Sequence, residues 1–90
     1  MKILRYSTQY KKDFKRYRYR PDKLKIILEV FKMLENEEEL PKELKAHKLK
    51  GQYKGCIECH IEDDLLLIWL DEESDFIYIL RLGTHSELFL

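Results

Sequence analysis

The chain has 90 residues, with 17 Lys and Arg, 17 Asp and Glu, three His, two Cys, six Tyr, four Phe and one Trp. That is enough for one domain over 1–90 and too little for two, and the 44% apolar content is too high for a disordered chain. Two cysteines three positions apart offer no disulfide framework, no apolar run reaches the roughly 20 residues that span a bilayer, and the N-terminus lacks a secretory apolar segment, so a soluble, cytoplasmic protein with no membrane partner is expected.

Lys2 to Ser7 alternates around Ile3 and Leu4 and predicts a short first strand, with Ser7 or Thr8 as the cap of a helix. Tyr10, Phe14 and Tyr17 then recur at i, i+4 and i+7 as one apolar stripe on a cationic helix. Arg20-Pro21-Asp22 breaks that pattern, because Pro21 disfavours helix before it and suits a helix's first turn. Leu24, Ile27, Leu28, Phe31 and Leu34 predict a second helix, completing a helical hairpin, and a Lys-rich loop runs on to Gly51.

From Tyr53 the period changes to two. Gly55–Ile61, Leu65–Leu70 and Phe76–Leu82 are apolar runs separated by acidic clusters, the pattern of an antiparallel meander on which the hairpin buries its stripe. Gly83 to Leu90 is short and is expected to pack back on the sheet. The fold class is therefore α+β, in the order βααβββ with a C-terminal segment.

Zero net charge conceals an asymmetry. Residues 1–54 hold 16 Lys and Arg against 8 acids, whereas residues 55–90 hold one Arg against 9 acids. A basic surface with interleaved Tyr suits a polyanion such as RNA. In the acidic half, alternation places Cys56, Glu58 and His60 on one side of a strand and Ile57, Cys59 and Ile61 on the other. The first set is polar and is expected to face outward, toward a surface that neighbouring strand ends let His47 and His85 share. Arg81 and Asp64 complete that grouping.

Cys56-Ile57-Glu58-Cys59-His60 also matches C-x-x-C-H, the c-type haem attachment string, and supplies three zinc-type ligands. In an extended strand, residues three apart point to opposite faces and cannot grip one ligand, so a metal- or haem-binding module is kept only as an alternative.

The whole chain resembles the YafQ branch of the RelE/ParE toxin superfamily. The likeness rests on Tyr6-Ser7-x-x-Tyr10-Lys11-Lys12-Asp13, Lys45-Ala46-His47-x-Leu49-x-Gly51-x-x-Lys54-Gly55, Glu58-Cys59-His60 with Asp64-Leu65-Leu66-Leu67-Ile68, and Arg81-Leu82-Gly83-Thr84-His85-Ser86-Glu87-Leu88-Phe89. It implies a RelE-like fold and a toxin of a type II toxin–antitoxin pair. Such a toxin is an endoribonuclease that cleaves mRNA, usually on the ribosome, without metal or other cofactor. It also implies a cognate antitoxin as partner, of ribbon-helix-helix type and encoded by a neighbouring gene.

Residue by residue, the likeness assigns catalytic His and Asp roles to His47, His60, Asp64 and His85. It assigns a phosphate contact to Arg81 and a C-terminal aromatic role to Phe89. Glu58 stands where relatives often carry Asp, and Asp63 where many have Pro. Lys45, Lys48, Lys50 and Lys54 are expected around the RNA or ribosomal contact. Metal-independent cleavage needs a base for the ribose 2′ proton, an acid for the departing 5′ oxygen and cationic help for the phosphorane, and imidazoles titrate in the range for the first two. On this expectation two of the three histidines share acid and base duty, Arg81 neutralises the phosphate and Asp64 orients a histidine. A ParE-like toxin that inhibits DNA gyrase without cutting RNA is the alternative of a different class.

Overall fold

One residue, Ser7, ends the first strand and opens the first helix. The computed structural model describes residues 1–89, and in it β1 (Ile3–Tyr6) runs directly into α1 (Thr8–Phe14). The Ser7 hydroxyl accepts the Tyr10 N–H at 2.9 Å and donates to the Leu80 carbonyl at 2.7 Å, so the helix cap is also an anchor to the sheet. α1 stops at Phe14, and Tyr17, expected on its stripe, lies beyond the helix in a turn.

The second helix, α2 (Pro21–Glu35), starts on Pro21 as expected. Its buried residues are Ile27, Val30, Phe31 and Leu34, while Leu28 is 60% exposed. The stripe is thus rotated from the expected one. Counting i, i+3, i+4 and i+7 from Ile27 selects Val30 and excludes Leu28.

The expected meander is present as β3 (Ile57–Glu62), β4 (Leu65–Asp71) and β5 (Phe76–Gly83). The sheet is mixed, however, where the sequence predicted a purely antiparallel one. β1 lies parallel to β5, and β2 (His47–Lys48), inside the segment read as loop, pairs antiparallel with β3. The strand order is β1-β5-β4-β3-β2. The parallel pair arises because both helices and the whole β2–β4 stretch separate β1 from β5, leaving room for a crossover that a tight turn would not allow.

Apolar clusters lie on both faces of the sheet. On one face α1 and α2 cover Cys59, Ile61, Leu65, Leu67, Trp69, Ile77, Ile79 and Leu82. On the other, Cys56, Leu66, Ile68 and Leu88 form a smaller cluster flanked by Leu49, Tyr53, Leu80 and Phe89. The Cys56/Glu58/His60 side of β3 is therefore partly covered, where the sequence suggested a fully outward one. Part of that cover is α3 (His85–Phe89), a helical turn within the short segment expected to pack back on the sheet. Thr84 and Glu87 cap it reciprocally: the Thr84 N–H donates to Glu87 Oε1 at 2.8 Å and the Glu87 N–H to Thr84 Oγ1 at 3.3 Å. A Cβ on Gly83 would meet Glu87 Oε1 at 2.9 Å and Leu88 Cδ2 at 3.2 Å, so a side chain there would have to displace the Glu87 carboxylate that caps α3. Among the described residues no helix is long and apolar enough to cross a membrane.

Candidate active site

Sheet register brings most of the sequence-selected residues to the face opposite α1 and α2. His47 pairs with Glu58 across β2 and β3, Glu58 with Ile68, and Ile68 with Arg81, so four strands carry one row. The next row runs from His60 through Leu66 to Gly83, two residues before His85. Two strand spacings, about 10 Å, separate the His60 and Gly83 backbones.

The histidines fall into two groups along these rows. Glu58 holds the first: its Oε2 lies 3.2 Å from His47 Nε2 and 3.9 Å from His60 Nε2, with the two rings 6.4 Å apart. The opposite side of the His47 ring is fixed as well, Nδ1 lying 2.8 Å from the Lys45 carbonyl oxygen, which can only accept. Lys45 reaches that position through a left-handed backbone, φ 52° and ψ 43°. Glu58 is 5% exposed, and its Oε1 is buried with no hydrogen-bond partner. A buried carboxylate within reach of two imidazoles fixes how they are oriented.

His85 heads the second group, on α3. Its ring centroid is 4.8 Å from that of Phe89, whose ring meets Tyr53 edge-on at 5.3 Å. Asp64, expected beside an imidazole, instead accepts the backbone N–H of His85 at 2.9 Å, placing its charge at the start of α3. Glu58 is thus the carboxylate on the rings of His47 and His60, and Asp64 the one on the backbone of His85.

Arg81 lies at the β5 end of the first row and is not free. Its Nε donates to Asp13 Oδ2 at 2.8 Å and its Nη1 to the Tyr53 hydroxyl at 3.2 Å. Asp13 is 1% exposed. Burial alone would raise its carboxyl, but Arg81, the Leu82 N–H and the Gln9 amide outweigh burial and hold it below the ordinary carboxylate range. The same pairing raises the Arg81 guanidinium. Neither Asp13 nor Tyr53 stood out as a site residue in the sequence, because their relation to Arg81 spans 68 and 28 positions and leaves no local pattern. Lys45, Lys48, Lys50 and Lys54 are all exposed around His47.

The cysteines form no common centre. Cys56 and Cys59 are free thiols in the two different apolar clusters, on opposite faces of the sheet. Burial, with a smaller contribution from Glu58, pushes the Cys59 thiol up to about 12, which leaves it a small hydrophobe. The haem or metal module on Cys56, Cys59 and His60 is therefore not supported. Among the described residues no three His, Cys, Asp or Glu side chains converge closely enough to hold a metal ion.

The model of the family "Bacterial toxin of type II toxin-antitoxin system, YafQ" matches residues 2–90. The chain belongs to the YafQ toxin family. It is 35% identical over 89 residues to the mRNA interferase toxin YafQ of Escherichia coli K12, covering 96% of this chain and 94% of that one. A copper-bound mutant toxin from Helicobacter pylori has 36% identity and a TM-score of 0.90, with 99% of this chain and 100% of that one covered. The toxin in the DinJ-YafQ complex of E. coli has 30% identity and a TM-score of 0.87 over the full length of both chains. Three helices on a five-stranded mixed sheet is the architecture this chain has in common with YafQ structures.

Proposed function

We propose that this YafQ-family chain is an mRNA interferase, the endoribonuclease of a type II toxin–antitoxin pair, acting in the cytoplasm on ribosome-bound mRNA. The observation that carries the reading is the pair of rows on one sheet face, His47–Glu58–Arg81 beside His60–Gly83–His85.

The reaction is an internal transesterification. The ribose 2′ oxygen attacks the adjacent phosphorus, the bond from phosphorus to the 5′ oxygen breaks, and the products are a 2′,3′-cyclic phosphate and a free 5′-OH. One imidazole of the Glu58-bound pair takes the 2′ proton, and an imidazole across the face gives a proton to the leaving oxygen. Arg81, on the same sheet face, meets the phosphorane's added negative charge. Glu58 keeps its paired rings oriented, Asp64 fixes the start of α3, and Phe89 supports His85 and offers a surface for a base. The exposed lysines near His47 contact the RNA backbone or the ribosome.

The antitoxin, of ribbon-helix-helix type, supplies a segment that folds on the toxin. An apolar groove of about 310 Å³ lined by Tyr6, Tyr10, Lys11, Phe14, Leu28 and Phe31 fits the apolar side of such a segment. The neighbouring Lys12 and Lys15 suit acidic residues beside it.

Product ends test the chemistry. In a translation extract the wild-type chain is expected to leave 5′-OH and 2′,3′-cyclic phosphate ends on cut mRNA. A 5′-phosphate, or gyrase inhibition with the mRNA intact, would overturn the reading.

A further inference from the structure

Beyond the histidines and Arg81, we infer that Asp13 and Tyr53 are positioning residues for RNA cleavage, which act by fixing the guanidinium of Arg81 on the sheet face that carries the histidines. The inference rests on the nuclease reading above and extends it to residues with no acid or base role in it.

The place of Asp13 follows from the unequal lengths of β1 and β5. β1 pairs only with Phe76 to Ile79, so the open edge of β5 continues past it to Gly83. There the Leu82 N–H has no strand to meet and donates instead to Asp13 Oδ2 at 3.0 Å. Having replaced a strand, the same carboxylate also takes Arg81 Nε at 2.8 Å and Nη2 at 3.4 Å, while Gln9 Nε2 donates to Oδ1 at 3.1 Å. A fully engaged, buried carboxylate on the end of α1 thus sets the position of a side chain whose Nη1 is left to meet Tyr53.

Tyr53 holds one outer nitrogen, Nη1. Its hydroxyl accepts from Arg81 Nη1 at 3.2 Å and donates to the Leu88 carbonyl at 3.0 Å. Its ring packs edge-on against Phe89, which packs on His85. One phenol thereby ties Arg81 to the helix that carries His85. Arg81 offers its remaining N–H bonds to a phosphate only while both restraints hold. Without them a long, flexible side chain samples positions ångströms away, and misplacement of that size is worth about 100-fold in rate.

An ordinary structural ion pair would make a different prediction. The test is mRNA cleavage by Asp13→Asn and Tyr53→Phe, each made in the parent chain and in Arg81→Ala, with kcat and KM measured separately. In the parent, Asp13→Asn is expected to lower kcat about 100-fold and Tyr53→Phe about 10-fold, with KM moving less than about 3-fold. In Arg81→Ala, neither is expected to lower the rate further, because the group they position is gone. Equal losses in both backgrounds, or parent rates for both variants, would overturn the assignment. Tyr53→Phe removes only a hydroxyl and carries the test alone if Asp13→Asn does not fold. The Arg81 Nε–H resonance in a ¹⁵N spectrum provides a second readout. It should be protected from exchange in the parent and unprotected in a folded Asp13→Asn chain; equal protection in the two would also overturn the inference. Failure of the wild-type chain to cut mRNA would instead fail the nuclease reading itself.

Discussion

The two faces of the sheet are built on different rules. The face under α1 and α2 buries Ile27, Val30, Phe31 and Leu34 against strand residues that are themselves apolar, and Asp13 sits at its margin. The opposite face has a thin apolar cluster of Cys56, Leu66, Ile68 and Leu88, around which Glu58, His47, His60, Arg81 and His85 are arranged through hydrogen bonds and ring contacts. The first face holds the larger apolar core, and the second holds the residues proposed to cut RNA. β4 serves both, since Leu65 to Trp69 are buried with alternate side chains on each side.

That division can be broken from either side. Leu67→Ala removes a fully buried side chain from the helix-covered face. It is expected to lower stability by about 2–5 kcal/mol in urea unfolding. Cleavage by the molecules that remain folded should stay at the parent rate, and a rate loss larger than the loss of folded protein would show that the faces are not independent.

A smaller, pH-dependent effect comes from Asp13, which belongs to both faces. Its folded-state carboxyl lies below the unfolded value, so on acidification the unfolded chain binds the proton first. The stability it contributes is fully present above about pH 4 and is lost as pH falls through the folded value. Unfolding midpoints measured from pH 6 to pH 2 should therefore fall less steeply in Asp13→Asn than in the parent. Parallel curves would mean that Asp13 is not held ionised by Arg81 and Leu82.

How much of this was legible in the sequence depends on whether the cause is local. The split of Ile57, Cys59 and Ile61 from Glu58 and His60 follows from strand alternation alone, and the structure keeps it. The Pro21 start of α2 and the Ser7 cap are equally local. α3 had a local signal too: Thr84-His85-Ser86-Glu87 is a capping box, outweighed in the sequence reading by the segment's length. Other features had no such signal. The parallel β1–β5 pair joins residues 73 positions apart, as at Ile3 and Phe76, and only the packed helices between them set its direction. Likewise the roles of Glu58 and Asp64 turn on which donor each carboxylate meets, the His47 and His60 rings in one case and the His85 N–H in the other. Residue type and spacing select both carboxylates and cannot order them.

On this reading imidazoles from both groups take part in cutting RNA, while their partly exposed rings add little to stability. That reading is tested most directly by measuring mRNA cleavage and thermal unfolding together for His60→Ala and His85→Ala. Cleavage is expected to fall about 10²–10⁴-fold in each, with unfolding close to the parent's. Parent-rate cleavage by both variants would contradict it.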